Sequence, residues 1–427
     1  MTVTPFERGL LNRIRLHVLP TKRFKTFAIS LYAGIPLDEH TVTNTALIPF
    51  VLRRGTSSTP ETIAFRERLD DMYGAGFGFD VYKRGDAQIV QFRLDVIHDQ
   101  FVASSASLLA SALKLLGEVV TEPALDEQGV FLAKYVEAEK MTLQKRLQSI
   151  INDKIRYAAE RCLEEMCADG PYRLHPLGRL DDIAAITPAS LHNAFQDWLK
   201  HAAFDLYVVG DTTLEEVQAV AAEAFQTGVG QPSVYSKPEV SNKISEVKTI
   251  VERMDVSQGK LNMGLRTNVG YADDDYPALL MYNGILGGYP HSKLFLNVRE
   301  KASLAYYAAS RLDGHKGICT IQSGIEIGNY ERAASIIKEQ LQSMRNGQLT
   351  ELEMNQTKAM ISNQLREMQD SAFEMIGFDF NAVLSGRIRT GEQLLNAVNA
   401  VTVEDIVKIA HKVELDTIYF LRDGKEA

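Results

Sequence analysis

Ile186-Thr187-Pro188-Ala189 opens a helical stretch that leads into Leu206-Tyr207-Val208-Val209-Gly210-Asp211. Val401-Thr402-Val403-Glu404 opens another, leading into Thr417-Ile418-Tyr419-Phe420-Leu421-Arg422-Asp423. Each begins a helix and leads to an apolar strand that ends on an aspartate. Thr187 and Thr402 lie 215 residues apart, and Asp211 and Asp423 lie 212 apart. This is the mark of a duplicated chain.

The same order holds further upstream. Residues 24–32 read as a strand, and so do residues 260–266, where Leu261, Met263 and Leu265 alternate with less apolar neighbours. A polar turn and an apolar helix follow each, at 46–54 and 278–286. A strand with Val90, Phe92, Leu94 and Val96 on one face then matches residues 318–322. Helices are expected at 106–116 and 130–147. Their counterparts are a helix with Ile336, Ile337, Gln340, Leu341 and Met344 on one face, closed by Gly347, and one opened by the capping box Thr350-Glu351-Leu352-Glu353. The interval between matched residues falls from 232 (Ala46 to Ala278) to 212, so the second copy is 20 residues shorter. The expected deletion is the connection around residues 169–182. Residues 227–246, with Pro232, Pro238, glycines and serines, read as a linker. The fold class is therefore α+β, built as two homologous domains of mainly antiparallel sheet covered by helices. The domains are residues 1–226 and 247–427.

Composition excludes several classes. Of 427 residues, 45% are hydrophobic and 24% charged, as in a globular protein. The longest strongly apolar stretch, residues 46–52, is far below the roughly 18 needed to span a bilayer. With no signal-peptide pattern at the N-terminus, a cytoplasmic location is expected. A net charge of −9 without basic runs argues against nucleic acid. Cys162, Cys167 and Cys319 form no CxxC pair and read as small buried apolar residues.

Three further stretches carry a resemblance. The first is Tyr172-Arg173-Leu174-His175-Pro176-Leu177-Gly178-Arg179 ahead of Ile183-Ala184-Ala185-Ile186-Thr187, and the second is the Tyr207-Val208-Val209-Gly210-Asp211 strand. The third runs Gly284-Ile285-Leu286-Gly287-Gly288-Tyr289-Pro290-His291-Ser292-Lys293-Leu294-Phe295 into Val298-Arg299-Glu300-Lys301 and Leu304-Ala305-Tyr306. The whole chain resembles the pitrilysin or insulinase-like metallopeptidases, which include mitochondrial processing peptidase and the bc-complex core subunits. It looks closest to zinc-less members from Gram-positive bacteria associated with aminopentanol modification of elongation factor P. The resemblance implies that each domain is a LuxS/metallohydrolase-like clamshell half.

It also implies a zinc site that this chain cannot complete. The family holds zinc on an inverted HxxEH helix plus a distal glutamate. Here Ala46 and Phe50 fall on the ligand positions and Pro49 on the base, so the motif is degenerate. No two of the nine histidines lie closer than the nine residues between His192 and His201, so none share a helical turn. Glu137 and Glu139 lie on the helix that would supply the distal ligand, and read as solvated charges. No cofactor is expected in this chain, and zinc is expected in a partner.

Arg299 and Tyr306 match the arginine and tyrosine that, in the family, hold the scissile carbonyl and its oxyanion. By themselves they also read as a surface charge and a half-buried aromatic. Gly284, Gly287 and Gly288 suit either a loop guiding an extended peptide or a plain helix end and turn. The implied function is the non-zinc, catalytically incomplete subunit of a heterodimeric peptidase, inactive alone. It would lend Arg299 and Tyr306 to a zinc-bearing HxxEH paralogue that cleaves extended or unfolded peptide. The alternative is a non-enzymatic scaffold or peptide-binding member, like the bc core subunits.

Overall fold

The computed structural model describes residues 5–103, 106–225, 228, 230–236, 240 and 244–424. They form two compact units, and neither follows the sequence halves strictly.

Unit 1 comprises Met1–Gln148, Leu174–Ser236 and Ser371–Phe380. It contains β1 (Glu7–Leu11), β2 (Ile14–Pro20), β3 (Thr26–Pro36), α1 (Val42–Leu52), α2 (Thr62–Asp71), β4 (Gly76–Arg84) and β5 (Ala87–Ile97). Next come α3 (Leu108–Thr121), most of α4 (Ala133–Asn152), and, after α5 (Lys154–Met166) of the second unit, α6 (Pro188–His201), β6 (Ala203–Gly210) and α7 (Leu214–Ala224). The sheet order is β1-β2-β6-β3-β5-β4, with β2 and β6 parallel and the other pairs antiparallel.

Unit 2 comprises Ser149–Arg173, Lys237–Asp370 and Asn381–Ala427. Besides α5 it holds β7 (Lys248–Arg253), β8 (Gly259–Arg266), α8 (Tyr276–Asn283), β9 (Ala305–Asp313), β10 (Ile318–Ile325), α9 (Tyr330–Arg345) and α10 (Glu351–Glu367). The end of α11 (Ala372–Ser385), α12 (Gly391–Ala400), α13 (Val403–Lys412) and β11 (Glu414–Arg422) complete it. Its order, β7-β11-β8-β10-β9, repeats that of β2 to β4 in unit 1, again with one parallel pair, β7 with β11.

The duplication is therefore structural, and the landmark threonines are equivalent. Thr187 caps α6 and Thr402 caps α13, each with a reciprocal capping box. The shortening is spread over several connections and is not concentrated where expected. The connection from β5 to α3 runs from Ile97 to Leu108, whereas its counterpart runs only from Ile325 to Tyr330. The connection around residues 169–182 has a counterpart of similar length that carries α12. Loop length is weakly constrained energetically, so differences settle where no sheet register depends on them.

Each sheet is completed by a helix from the other half of the sequence. In unit 1, Phe380 of α11 stacks on Tyr32 at 3.7 Å between centroids, and Asp379 accepts hydrogen bonds from Arg8 and Tyr207. In unit 2, Ala158 and Cys162 of α5 pack with Tyr419 and Leu421 of β11, and Tyr157 donates to Glu252 of β7. All three cysteines are buried and none is in a disulfide among the described residues. Of the linker, Tyr235 donates to Asp205 at 2.7 Å, while 227, 229, 237–239 and 241–243 lie outside the described residues.

Candidate functional site

The apolar run Thr45-Ala46-Leu47-Ile48-Pro49-Phe50-Val51-Leu52 has no polar face, so α1 must be enclosed on every side. It is: Ala46, Leu47, Ile48, Phe50 and Leu52 have no exposed surface. Pro49 lies inside the helix and removes its own backbone donor. The Phe50 ring meets Phe79 edge-on at 4.8 Å, and the Arg146 guanidinium lies 4.7 Å from its centroid.

Beside this helix the structure corrects one reading. Glu139 of α4 is not a solvated charge; it is fully buried, whereas Glu137 is 60% exposed. Arg54 donates through Nε to Glu139 Oε1 at 2.5 Å, and Arg53 donates to the same oxygen at 3.3 Å. Among the described residues Glu139 Oε2 has no hydrogen-bond partner. A buried carboxylate needs a counter-charge, and here two guanidinium groups provide it. Nothing in the local pattern of α4 signals this, because burial of Glu139 depends on which helix covers that face.

In unit 2 the glycine-rich stretch continues α8 as a π-helical turn, Gly284–Gly288. Gly284 and Gly287 are buried; a methyl on the first would collide with Thr357 and on the second with the Ser310 backbone. Gly288 is exposed. A second π-helical segment, Phe295–Lys301, carries Arg299. The Arg299 guanidinium lies 4.6 Å from the Phe295 ring centroid, its Nε is 3.6 Å from Glu300, and its side chain is 43% exposed.

Tyr306 stands on β9, an edge strand whose one sheet neighbour among the described residues is β10. Ala305 pairs with Ile325 and Tyr307 with Gly324, which leaves Tyr306 as the extra residue of a β-bulge. The Tyr307 ring lies against Gly324, where any side chain would displace it. Burial and the nearby Asp153 charge push the Tyr307 phenol up to about 12. Tyr306 instead is 57% exposed and makes no hydrogen bond among the described residues. No described contact joins Arg299 to Tyr306. The adjacent tyrosines were legible in the sequence, whereas the bulge that separates their surroundings was not.

Sequence reasoning also missed a buried polar network in unit 1. Asp205 on β6 accepts from Arg15 at 2.6 and 2.7 Å, from His17 Nε2 at 2.8 Å and from Tyr235. Burial would raise its pKa, but the Arg15 and His17 hydrogen bonds outweigh that and hold it at about 2. Burial lowers the pKa of His17 despite Asp205. The neutral ring therefore donates to Asp205 through Nε2 and accepts from Arg8 at Nδ1.

Comparison with known proteins fits this anatomy. Residues 185–361 match the family description "Peptidase M16 inactive domain". The chain is 42% identical over 411 residues to a probable inactive metalloprotease, YmfF, of Bacillus subtilis, covering 96% of each. A crystal structure of a conserved Enterococcus faecalis protein superposes with a TM-score of 0.93 at 30% identity, covering 99% of this chain and 100% of that one. A structure titled as a peptidase M16 inactive domain from Pseudomonas fluorescens gives a TM-score of 0.81 at 18% identity, over 98% of each chain. The chain belongs to the pitrilysin-like, or peptidase M16, metallopeptidase family.

The zinc implied by this membership does not fit this peptidase M16 chain. Alanine, proline and phenylalanine offer no donor at positions 46, 49 and 50, and the neighbouring carboxylate is already neutralised by arginine. Among the described residues no three or more His, Cys, Asp or Glu side chains are grouped to hold a metal. Relatives of this chain also include proteins named as zinc proteases, such as YmxG of Bacillus subtilis at 22% identity over 63% of this chain and 67% of that protein. Among the described residues no helix is long and apolar enough to cross a membrane.

Proposed function

We propose that this chain is the non-zinc subunit of a two-chain peptidase and presents Arg299 and Tyr306 to a peptide held at the zinc of a paralogous HxxEH partner. The observation that carries this reading is the exposed, hydrogen-bond-free phenol of Tyr306 on a bulged edge strand, in a chain whose α1 offers no chemistry. Bulges re-aim side chains next to functional sites, and an unused phenol can donate to an oxyanion without ionising. Arg299 adds a fixed charge with planar donors, and Gly284, Gly287 and Gly288 shape the turn ahead of it. The peptide would lie extended, as a strand added to an open sheet edge.

The second reading is a peptide-binding scaffold that performs no chemistry, favoured by the complete packing of α1. Reconstitution with a paralogous HxxEH chain separates the two. Under the first reading, Arg299→Lys and Tyr306→Phe each lower kcat for peptide cleavage about 100- to 1000-fold while the complex still forms on gel filtration. Unchanged turnover in an intact complex removes the catalytic role and leaves the scaffold.

A further inference from the structure

We infer that Arg53 and Arg54, beside the open edge of β4, form a binding site for a carboxylate carried on an extended acidic peptide. The inference deepens the peptide-binding reading above and rests on it. Its starting point is a charge imbalance. Two guanidinium groups share one carboxylate oxygen of Glu139, so one positive charge remains uncompensated among the described ion pairs. Arg54 uses only Nε in that contact, and Arg53 only one terminal nitrogen. Among the described residues neither guanidinium makes any other hydrogen bond, although each carries five N–H donors.

The remaining donors are accessible. The Arg53 side chain is 38% exposed and that of Arg54 28%. The Arg53 guanidinium lies 5.5 Å from the Phe79 ring centroid and 6.0 Å from that of Phe50. Stacking on rings occupies the face of a guanidinium and leaves its in-plane donors available for a bidentate carboxylate. On a chain of net charge −9, such a local positive excess is a specific feature and not part of a general field.

Phe79 also connects this site to a backbone edge. It belongs to β4, the last strand of its sheet, which among the described residues is hydrogen-bonded only to β5. Phe77, Phe79 and Val81 alternate along its half-buried face, while Gly76, Gly78 and Asp80 are exposed. A peptide pairing with this edge would place every second side chain over the Phe77–Phe79 face, about 7 Å apart. An acidic side chain in that register reaches the arginines; a neutral one leaves their donors unused.

The test uses the full chain and two fluorescent peptides of about ten residues, long enough to pair along one strand. One alternates glutamate with apolar residues, and the other has glutamine at the same positions. Fluorescence anisotropy should show the glutamate peptide binding about 10- to 100-fold more tightly, the range expected for a charge-assisted contact. In Arg53→Gln, which keeps the Arg54–Glu139 pair, that preference should fall below about threefold. Equal binding of both peptides overturns this inference and leaves the peptide-binding reading standing. Binding of neither overturns both. Full discrimination by Arg53→Gln shows that the preference arises elsewhere and removes the assignment.

Discussion

The helix pair α1 and α4 in unit 1 and the pair α8 and α10 in unit 2 are copies of one arrangement, yet they bury different chemistry. Counting from the two helix starts, Glu139 on α4 matches Thr357 on α10. Both are fully buried. Glu139 is paired with Arg54 and Arg53, whereas Thr357 makes a neutral hydrogen bond to His291 Nε2 at 2.9 Å. Burial lowers the pKa of His291, which keeps the ring neutral. The second copy thus solved a buried polar position without charge. The first copy kept a charge and had to supply its counterion from the end of α1. A carboxylate buried inside carries an electrostatic demand that a neighbouring charge must meet.

The sharpest way to break this comparison is to remove the counterion. Arg54→Ala leaves Glu139 with only the longer Arg53 contact and should cost about 3 kcal/mol in denaturant unfolding, at the lower end for a broken buried pair because Arg54 is partly exposed. The equivalent cut in unit 2, Thr357→Val, should cost about 1 kcal/mol, the scale of a neutral hydrogen bond. Replacing Arg54 and Glu139 together by leucine should recover most of the loss. If the double variant is as unstable as Arg54→Ala, the pair is not the source of the effect.

Acid titration tests a second contrast between the units. Asp205 has its pKa depressed from 3.8 to about 2 in the folded state, so its contribution is fully present above pH 3.8 and is lost as pH falls toward 2. That contribution is about 2 kcal/mol on linkage grounds. His17 is also depressed below 6.5; stability it provides is present above that pH and begins to fall below it. Glu252 in unit 2 is depressed too, but it is partly exposed and solvent screens it. The acid limb of Tm against pH should therefore flatten more in Asp205→Asn than in Glu252→Gln. Equal flattening would show that the buried network in unit 1 has no special weight.

The smallest effect concerns what the two copies share. Thr187→Ala and Thr402→Ala each remove the side-chain acceptor of a capping box and should cost about 1 kcal/mol apiece, additively, in the same unfolding assay. A tenfold disparity in equilibrium constant between them would mean that the matched caps are not equivalent in energy.

The sequence by itself determined the duplication, the paired helix starts, the closing strands, the absence of donor side chains at 46, 49 and 50, and the family resemblance. These are local signals: hydroxyl caps, alternation, and the presence or absence of a ligating atom. Alternation also located β3, β5 and β8 to within a few residues. Tertiary structure decided the rest. An amphipathic stripe on α5 or α11 says that a face must be buried, but not against which sheet, and each completes the unit of the other half. Glu139 sits in a helix rich in charged residues, and only the packing of α1 makes it a buried ion. Tyr306 and Tyr307 are identical neighbours in sequence; the β-bulge against Gly324 covers one ring and leaves the other exposed. In each case the deciding quantity is what lies across a contact from a distant part of the chain, and no local pattern encodes that.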